Sequence, residues 1–127
     1  MDNKELGKLG EDIAVEYLQN KGYEILGRNY IKVWDSRFKG EIDIVARKGK
    51  IVSFVEVKAS LESSNFYPED RVNSAKQKKL VRLGQAWLDE NRYSSNTLWQ
   101  IDVVSVAFGI GAGETRVVYL ENVVSES

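Results

Sequence analysis

The order of apolar patterns along the chain predicts an α/β fold in which two helices flank a mixed five-stranded sheet. Two segments, about Lys4 to Lys21 and about Arg71 to Asn91, carry apolar residues at helical spacing. The other apolar segments are shorter and are bounded by glycine or polar residues, which is typical of strands. The predicted order is helix, three strands, helix, two strands, and 127 residues suit a single domain covering 1–127.

The N-terminal part of the chain predicts a helix followed by a strand. The helix rests on a set of apolar residues at helical spacing: Leu6, Leu9, Ile13, Tyr17 and Leu18. Gly22 is a plausible C-terminal stop. The segment Tyr23 to Tyr30 then predicts the first strand, and the charged stretch Lys32 to Lys39 predicts an irregular connection.

The middle of the chain predicts a β-hairpin. Its strands are about Glu41–Arg47 and Lys50–Ala59, with Lys48-Gly49 as a two-residue turn. Ile51–Val55 is almost entirely apolar, as in a central strand that is covered on both faces. Ser60–Glu69 is polar, contains the only proline of the chain and predicts a loop.

The C-terminal part predicts two further strands, Leu98–Phe108 and Thr115–Val124. The glycine-rich segment Gly109–Gly113 joins them and predicts a hairpin turn rather than a phosphate-binding loop, because no helix follows it.

Composition narrows the chemistry that this chain can carry. There are no cysteines and no histidines, which excludes disulfides, thiolate metal sites and a histidine base. The formal net charge is −1, so nucleic-acid binding would depend on local clusters of basic residues. No signal peptide and no apolar run near the ~20 residues of a membrane span is present, which predicts a cytoplasmic protein without membrane contact.

Two acids and a lysine are predicted to gather at one end of the hairpin. With the turn at Lys48-Gly49, Asp43 lies opposite Phe54 and Glu56 becomes its diagonal neighbour on the same face. Lys58 follows two residues later on that face. Two converging carboxylates suit a hard cation such as Mg²⁺. Solvated surface acids and simple ion pairs are the commoner explanation of such spacing.

Two polar side chains interrupt the apolar faces of the helices. Gln77 falls in the middle of the apolar face of the second helix, which predicts either a side chain directed at a site or a cap near the helix start. Glu11 lies at the edge of the apolar face of the first helix. It is a candidate accessory ligand for a metal or water, with a boundary ion pair as the alternative.

The second helix carries a stripe of basic residues without any acid between positions 71 and 88: Arg71, Lys76, Lys78, Lys79 and Arg82. Such a stripe could bind the phosphates of a nucleic acid with salt-sensitive affinity. A solvated helix face explains it equally well.

The spacing of several short motifs resembles the YraN-type family of small bacterial endonuclease-like proteins. Gly40-Glu41-Ile42-Asp43 followed by Phe54-Val55-Glu56-Val57-Lys58 carries the resemblance. Gly7-x-x-Gly10-Glu11-x-x-Ala14 resembles the first helix of that family, and Arg28-Asn29 follows at the expected place. Lys76-Gln77 and Ile101-Asp102-Val103-Val104 extend the match over nearly the whole chain.

This resemblance implies a fold, an activity and roles for individual residues. The family is similar to archaeal Holliday junction resolvases of the PD-(D/E)XK superfamily, which have a restriction-endonuclease-like core and act as dimers. Asp43, Glu56 and the backbone carbonyl of Val57 would bind Mg²⁺, for which Mn²⁺ could substitute, and Lys58 would position the attacking water. Glu11 would be an accessory acid and Gln77 a contact to phosphate or water.

The expected activity is therefore metal-dependent hydrolysis of a DNA phosphodiester, with branched DNA among the candidate substrates and a homodimer as the expected assembly. Two alternatives remain open at this point. The chain could be a nucleic-acid-binding module without turnover, or a protein-interaction domain, which the near-neutral net charge favours.

Overall fold

A computed structural model describes residues 2–61, 73–109 and 114–123. It confirms an α/β architecture with two helices and five strands in the predicted order. The elements are α1 (Asn3–Asn20), β1 (Glu24–Asp35), β2 (Phe38–Lys48), β3 (Ile51–Leu61), α2 (Ser74–Glu90), β4 (Leu98–Phe108) and β5 (Thr115–Leu120).

The five strands form one mixed sheet in the order β1-β2-β3-β4-β5. Neighbouring strands are antiparallel except β3 and β4, which are parallel and are connected through α2. The single parallel pair therefore requires a crossover, and the helix of that crossover covers one face of the sheet.

Each face of the sheet has its own hydrophobic core. Leu80, Leu83 and Trp87 of α2 pack with Val52 and Phe54 on one face. The opposite face is covered by α1, whose buried positions are Gly10, Ala14 and Leu18. This division explains why Ile51–Val55 is almost entirely apolar, since β3 is buried on both faces.

The expected irregular stretch at Lys32–Lys39 is wrong, because β1 and β2 continue through it as a paired ribbon. Val33 pairs with Lys39, and the ribbon closes only after Asp35. The carboxylate of Asp35 accepts hydrogen bonds from the backbone N–H groups of Arg37 and Phe38 at 2.7 and 2.9 Å. This local turn satisfies the backbone at the tip, so charged residues here do not mark the end of the sheet.

The second hairpin turn also differs from the prediction. Lys48 pairs with Ile51, so the two loop residues are Gly49 and Lys50. Gly49 adopts a φ of +61°, a conformation that glycine reaches without strain and that a tight hairpin favours at this position. The register moves by two positions, which brings Asp43 towards Glu56 instead of Phe54 and leaves both residues on their predicted faces.

Several boundaries differ more modestly from those predicted. β5 ends at Leu120 rather than Val124, because Asn122 adopts a φ of +51° and interrupts the regular strand. The predicted start of the second helix at Arg71 lies outside the described residues, as do most of the loop Ser60–Glu69 and the tip of Gly109–Gly113. Within the described ranges, no helix is long and apolar enough to cross a membrane.

Candidate acidic site at the end of the sheet

β2 changes the face of its side chains at Asp43. Ile42 packs in the core beneath α2, whereas Ile44 packs in the core beneath α1. Residues two apart on a regular strand share one face, so the strand must twist sharply between them. Asn29 lies opposite Asp43 in the register of β1 and β2 and adopts a φ of +52°. Both strands are therefore distorted at the same point.

At the distortion, the Asp43 side chain replaces the backbone of β2 as the hydrogen-bond acceptor for β3. Backbone pairing between β2 and β3 ends at Ile44 and Val55. The N–H of Val57 instead donates a hydrogen bond to Asp43 Oδ2 at 2.8 Å. This bond fixes the Asp43 carboxylate at the point where the two strands separate.

Glu56 shares a cavity of about 260 Å³ with Asp43. Only 8% of Glu56 is exposed, and Lys76 Nζ lies 2.5 Å from its Oε1 atom. Lys79 lines the same cavity from the next turn of α2. The floor of the cavity is thus acidic and its α2 side is basic.

A third and a fourth acid join the site from α1 and β2. Carboxylate oxygens of Glu11, Glu41 and Asp43 all lie within 4.8 Å of one another. The Nδ2 atom of Asn29 donates to Glu11 at 2.8 Å and to Glu41 at 2.9 Å. Because carboxylates can only accept hydrogen bonds, the amide nitrogen of Asn29 is the group suited to hold two of them in place.

Close packing of α1 on β3 determines where Glu11 lies. A Cβ atom at Gly10 would stand only 2.7 Å from the Cβ of Ala59, a distance that real side chains do not adopt. Glycine therefore lets the helix approach the strand and brings Glu11 to the sheet end. Arg28 lies beside it, 2.8 Å from Asp12 and 3.7 Å from Glu11.

The surroundings of Asp43 disfavour the ionised form of its carboxyl. Burial raises the pKa of Asp43 to about 7, and the negative charge of Glu56 adds to that rise. Glu11 and Glu41 contribute in the same direction, whereas the hydrogen bond from Val57 lowers the pKa. A bound cation would relieve this repulsion. The donor atoms are all carboxylate oxygens, which suits a hard divalent cation such as Mg²⁺ or Mn²⁺.

The predicted catalytic residues fall in different positions around the site. Asp43 and Glu56 line one cavity, and Glu11 lies in the acid cluster beside it. Lys58 is half-buried on β3, two residues beyond Glu56, and Gln77 is half-buried in the first turns of α2. Neither is among the described residues that line the cavity. The assigned roles of these residues stay predictions.

The basic stripe of α2 divides into side chains with different contacts. Lys76 pairs with Glu56. The guanidinium of Arg82 instead lies 4.4 Å from the ring centre of Trp34 and 4.1 Å from that of Phe38. It thereby fastens the β1–β2 ribbon to α2 by cation–π contacts. Of the stripe, Lys76 and Lys79 line the acidic cavity.

Two members of the stripe have no established place in the site. Lys78 is exposed on α2, and Arg71 lies outside the described residues. Their proposed contacts to nucleic acid stay predictions.

Sequence reasoning did not single out Glu41 or Asn29 as site residues. Glu41 lies two residues before Asp43, so alternation along a strand could have placed both acids together. The signal for Asn29 was its place in the Arg28-Asn29 motif, but its bridging position depends on a positive φ that the sequence does not reveal.

Comparison with known proteins identifies relatives over most of the chain. Residues 10–106 match the profile of the uncharacterised protein family UPF0102. A UPF0102 protein of Caldicellulosiruptor saccharolyticus is 37% identical over 111 residues, which cover 87% of this chain and 88% of the relative. The UPF0102 protein CPE1705 of Clostridium perfringens is 32% identical over 120 residues, which cover 94% and 93%.

Proposed function

The chain belongs to the UPF0102 family, and we propose that it is a Mg²⁺-dependent DNA endonuclease with a restriction-endonuclease-like core. The observation that carries this proposal is the shared cavity of Asp43 and Glu56, two acids on adjacent strands beside a lysine. The raised pKa of Asp43 supports it, because the acids destabilise one another without a cation.

The arrangement of strands is consistent with the proposed resolvase-like core. Asp43 lies where β2 separates from β3, and Glu56 and Lys58 follow on β3 at alternate positions. β3 then leads through α2 into the parallel strand β4. The order of acid, acid and lysine on a hairpin followed by a crossover helix is the pattern expected of the PD-(D/E)XK superfamily.

In this proposal Asp43, Glu56 and the carbonyl of Val57 hold the divalent cation. Such a cation lowers the pKa of bound water and neutralises charge that develops on a phosphate. Lys58 orients the attacking water. Glu11 supports the acid cluster through Asn29, and Gln77 contacts phosphate or water.

The basic residues of α2 would position the substrate. Lys76 and Lys79 stand on the α2 side of the cavity and supply positive charge beside the acids. Phosphate groups of DNA are held mainly by such charges, whereas base identity is read elsewhere. The proposal therefore names DNA as the partner and branched DNA as the first substrate to test.

A homodimer is proposed for the assembly. Among the described strands, β1 lies at an edge of the sheet, and its Ile31 and Val33 side chains are each 62% exposed. Exposed apolar residues on an edge strand favour association.

One observation favours a second candidate, a nucleic-acid-binding module without turnover. Lys76 already pairs with Glu56 and supplies the positive charge that a cation would otherwise provide. In such a module the lysine would replace the metal permanently. Because the Lys76 side chain is 48% exposed, it has room to move away, and the two candidates make different predictions for metal binding.

A cleavage assay tests the proposal. Wild-type protein and Glu56→Ala are incubated with a four-way junction, a flap and a linear duplex in Mg²⁺, Mn²⁺ or EDTA. Glu16→Ala serves as the matched control, because Glu16 is an exposed acid on α1 outside the site. Thermal melting of each variant checks that the fold is retained.

The nuclease proposal expects metal-dependent cutting by the wild type and by Glu16→Ala, and none by Glu56→Ala. DNA binding without cutting under any metal would support the silent module instead. Equal cutting by Glu56→Ala and the wild type would disprove the assignment of the site.

A further inference from the structure

The acidic cavity lies beside a second depression on the side of α1. This second cavity has a volume of about 630 Å³ and is lined by residues of α1, β1 and β2. Glu41 lines both cavities, and Glu11 of the second cavity belongs to the same acid cluster. The two depressions therefore share Glu41 and lie on either side of the acid cluster, and we refer to the pair as the groove.

Positive charge stands on both sides of the acids in this groove. On the α2 side it comes from Lys76 and Lys79. On the α1 side, Lys4 and Lys8 line the cavity one helical turn apart, and both are exposed. Within the described part of the chain, neither Lys4 nor Lys8 forms an ion pair with a carboxylate.

A polyanion is the ligand that this alternation of charge fits. A single small anion would be bound by one basic side alone, and the acids would repel it. A longer chain of phosphates can contact the cations on both sides while a divalent ion screens the acids in the middle. The groove is thus suited to a nucleic-acid strand and not to an isolated phosphate.

We infer that Lys4 and Lys8 bind backbone phosphates on the far side of the acid cluster from α2, so that a DNA strand lies along the whole groove. This inference rests on the proposed function, because it extends the substrate site of the same acids. It assigns α1 a direct role in binding in addition to carrying Glu11.

Gly7 supplies an independent argument for an open groove. It lines the α1 cavity, and a Cβ atom placed there would have no neighbour within 4 Å. Glycine inside a helix costs about 1 kcal/mol relative to alanine. Packing does not require it here, whereas a strand lying along the groove would benefit from the missing side chain.

The first test measures DNA binding in the absence of turnover. Fluorescence anisotropy follows a fluorescein-labelled 20-base-pair duplex in Ca²⁺ over a range of salt concentrations. Lys4→Gln combined with Lys8→Gln is compared with Lys21→Gln combined with Lys50→Gln. The second pair makes the same charge change on exposed lysines outside both cavities of the groove.

Losing two phosphate contacts should reduce the slope of log affinity against log salt by about 1.8. At 100 mM salt, the affinity of the groove variant should fall about tenfold, while the control pair stays close to wild type. Equal slopes and affinities for the two double variants would overturn the inference. Failure of the wild type to bind the duplex would overturn it as well.

A second test blocks the groove without changing charge. Gly7→Phe should fill the α1 cavity and weaken binding several-fold, and Gly7→Ala, which adds only one methyl group, should weaken it by a smaller factor. Both variants are checked by thermal melting, and Gly7→Ala should melt at the same or a higher temperature because it favours the helix. Wild-type affinity in a folded Gly7→Phe protein would contradict the groove.

These tests separate the inference from the proposed activity. Weaker binding by the groove variants together with no cutting in Mg²⁺ or Mn²⁺ would keep the groove and reject the nuclease. Cutting that depends on Glu56, together with wild-type affinity of the groove variants for the duplex, would keep the nuclease and reject the groove.

Discussion

Asp43 and Asp102 are both withdrawn from solvent, but their surroundings differ in kind. Asp102 is fully buried in β4 and accepts hydrogen bonds from the Asn122 N–H at 2.8 Å and from the Tyr119 hydroxyl at 2.5 Å. The amide of Gln100 donates to it as well. Asp43 accepts one backbone hydrogen bond and otherwise faces other carboxylates.

Asp102 is thus a structural acid, whereas Asp43 is a candidate functional one. Donors around Asp102 replace the water that it loses on burial, and they connect β4 to the chain after β5. Around Asp43, burial and the negative charges of Glu56, Glu11 and Glu41 raise the pKa of its carboxyl to about 7. Perturbed acids in a cavity are candidates for function, whereas acids with enough donors stabilise the fold.

The largest expected effect is the loss of cleavage in Asp43→Asn. Partners that only support a metal ligand are commonly worth 10–100-fold, so loss of a ligand should cost roughly 1,000-fold in the rate of DNA cleavage. Single-turnover cleavage in Mg²⁺ measures it. Asp102→Asn serves as the contrast and should cut at near the wild-type rate per folded molecule. Equal losses of cleavage rate in both variants would contradict the functional role of Asp43 as opposed to Asp102.

The reverse pattern is expected for stability. Asp102→Asn keeps the shape of the side chain but turns one acceptor into a donor, which then faces the donors of Tyr119, Gln100 or Asn122. Leaving such groups unsatisfied in the interior should lower the free energy of unfolding by about 2–4 kcal/mol. Urea denaturation measures the change. A loss below about 0.5 kcal/mol would mean that the network contributes little.

The pH dependence of stability should report the raised pKa of Asp43. The folded-state pKa of Asp43 is raised to about 7 from its usual 3.8, so the folded protein retains a proton that the unfolded chain has released. Stability should therefore fall as pH rises from about 4 to about 7 and level off above that. The contribution of this group is at most about 4 kcal/mol. Urea denaturation in EDTA at pH 5 and pH 8 measures it.

Asp43→Asn is the control for this pH effect, because an amide does not titrate in that range. The free energy of unfolding of Asp43→Asn minus that of the wild type should be larger at pH 8 than at pH 5, because only the wild type loses stability over this range. Adding Mg²⁺ at pH 8 should restore stability to the wild type and not to the variant. A wild type that gains stability over this range relative to Asp43→Asn would contradict the raised pKa.

The sequence was sufficient to predict the layers and the order of elements because apolar periodicity follows from burial. β3 is apolar on both faces because both helices cover it, and that signal is local. The sequence did not determine the hairpin register, since Gly49 can occupy either position of a two-residue turn. An error of two positions still left Asp43 and Glu56 on one side, because side chains alternate with a period of two.

The parts of the site that the sequence did not predict depend on non-local geometry. Asn29 bridges Glu11 and Glu41 only because β1 is distorted beside Asp43. Arg82 carries the positive charge expected of a phosphate ligand, but its guanidinium stacks on two aromatic rings that the β1–β2 ribbon brings to α2. The charge of Arg82 alone could not distinguish these cation–π contacts from phosphate binding.

The smallest expected effect concerns Lys76, which competes with a cation for Glu56. An ion pair with a half-exposed lysine contributes about 0.5–1 kcal/mol, so Lys76→Met should raise Mn²⁺ affinity two- to fivefold. Isothermal titration calorimetry measures it. Lys79→Met is the matched control, because Lys79 lines the same cavity without this pair. Equal gains in both variants would indicate a general field effect, and no Mn²⁺ binding by any variant would favour the silent module.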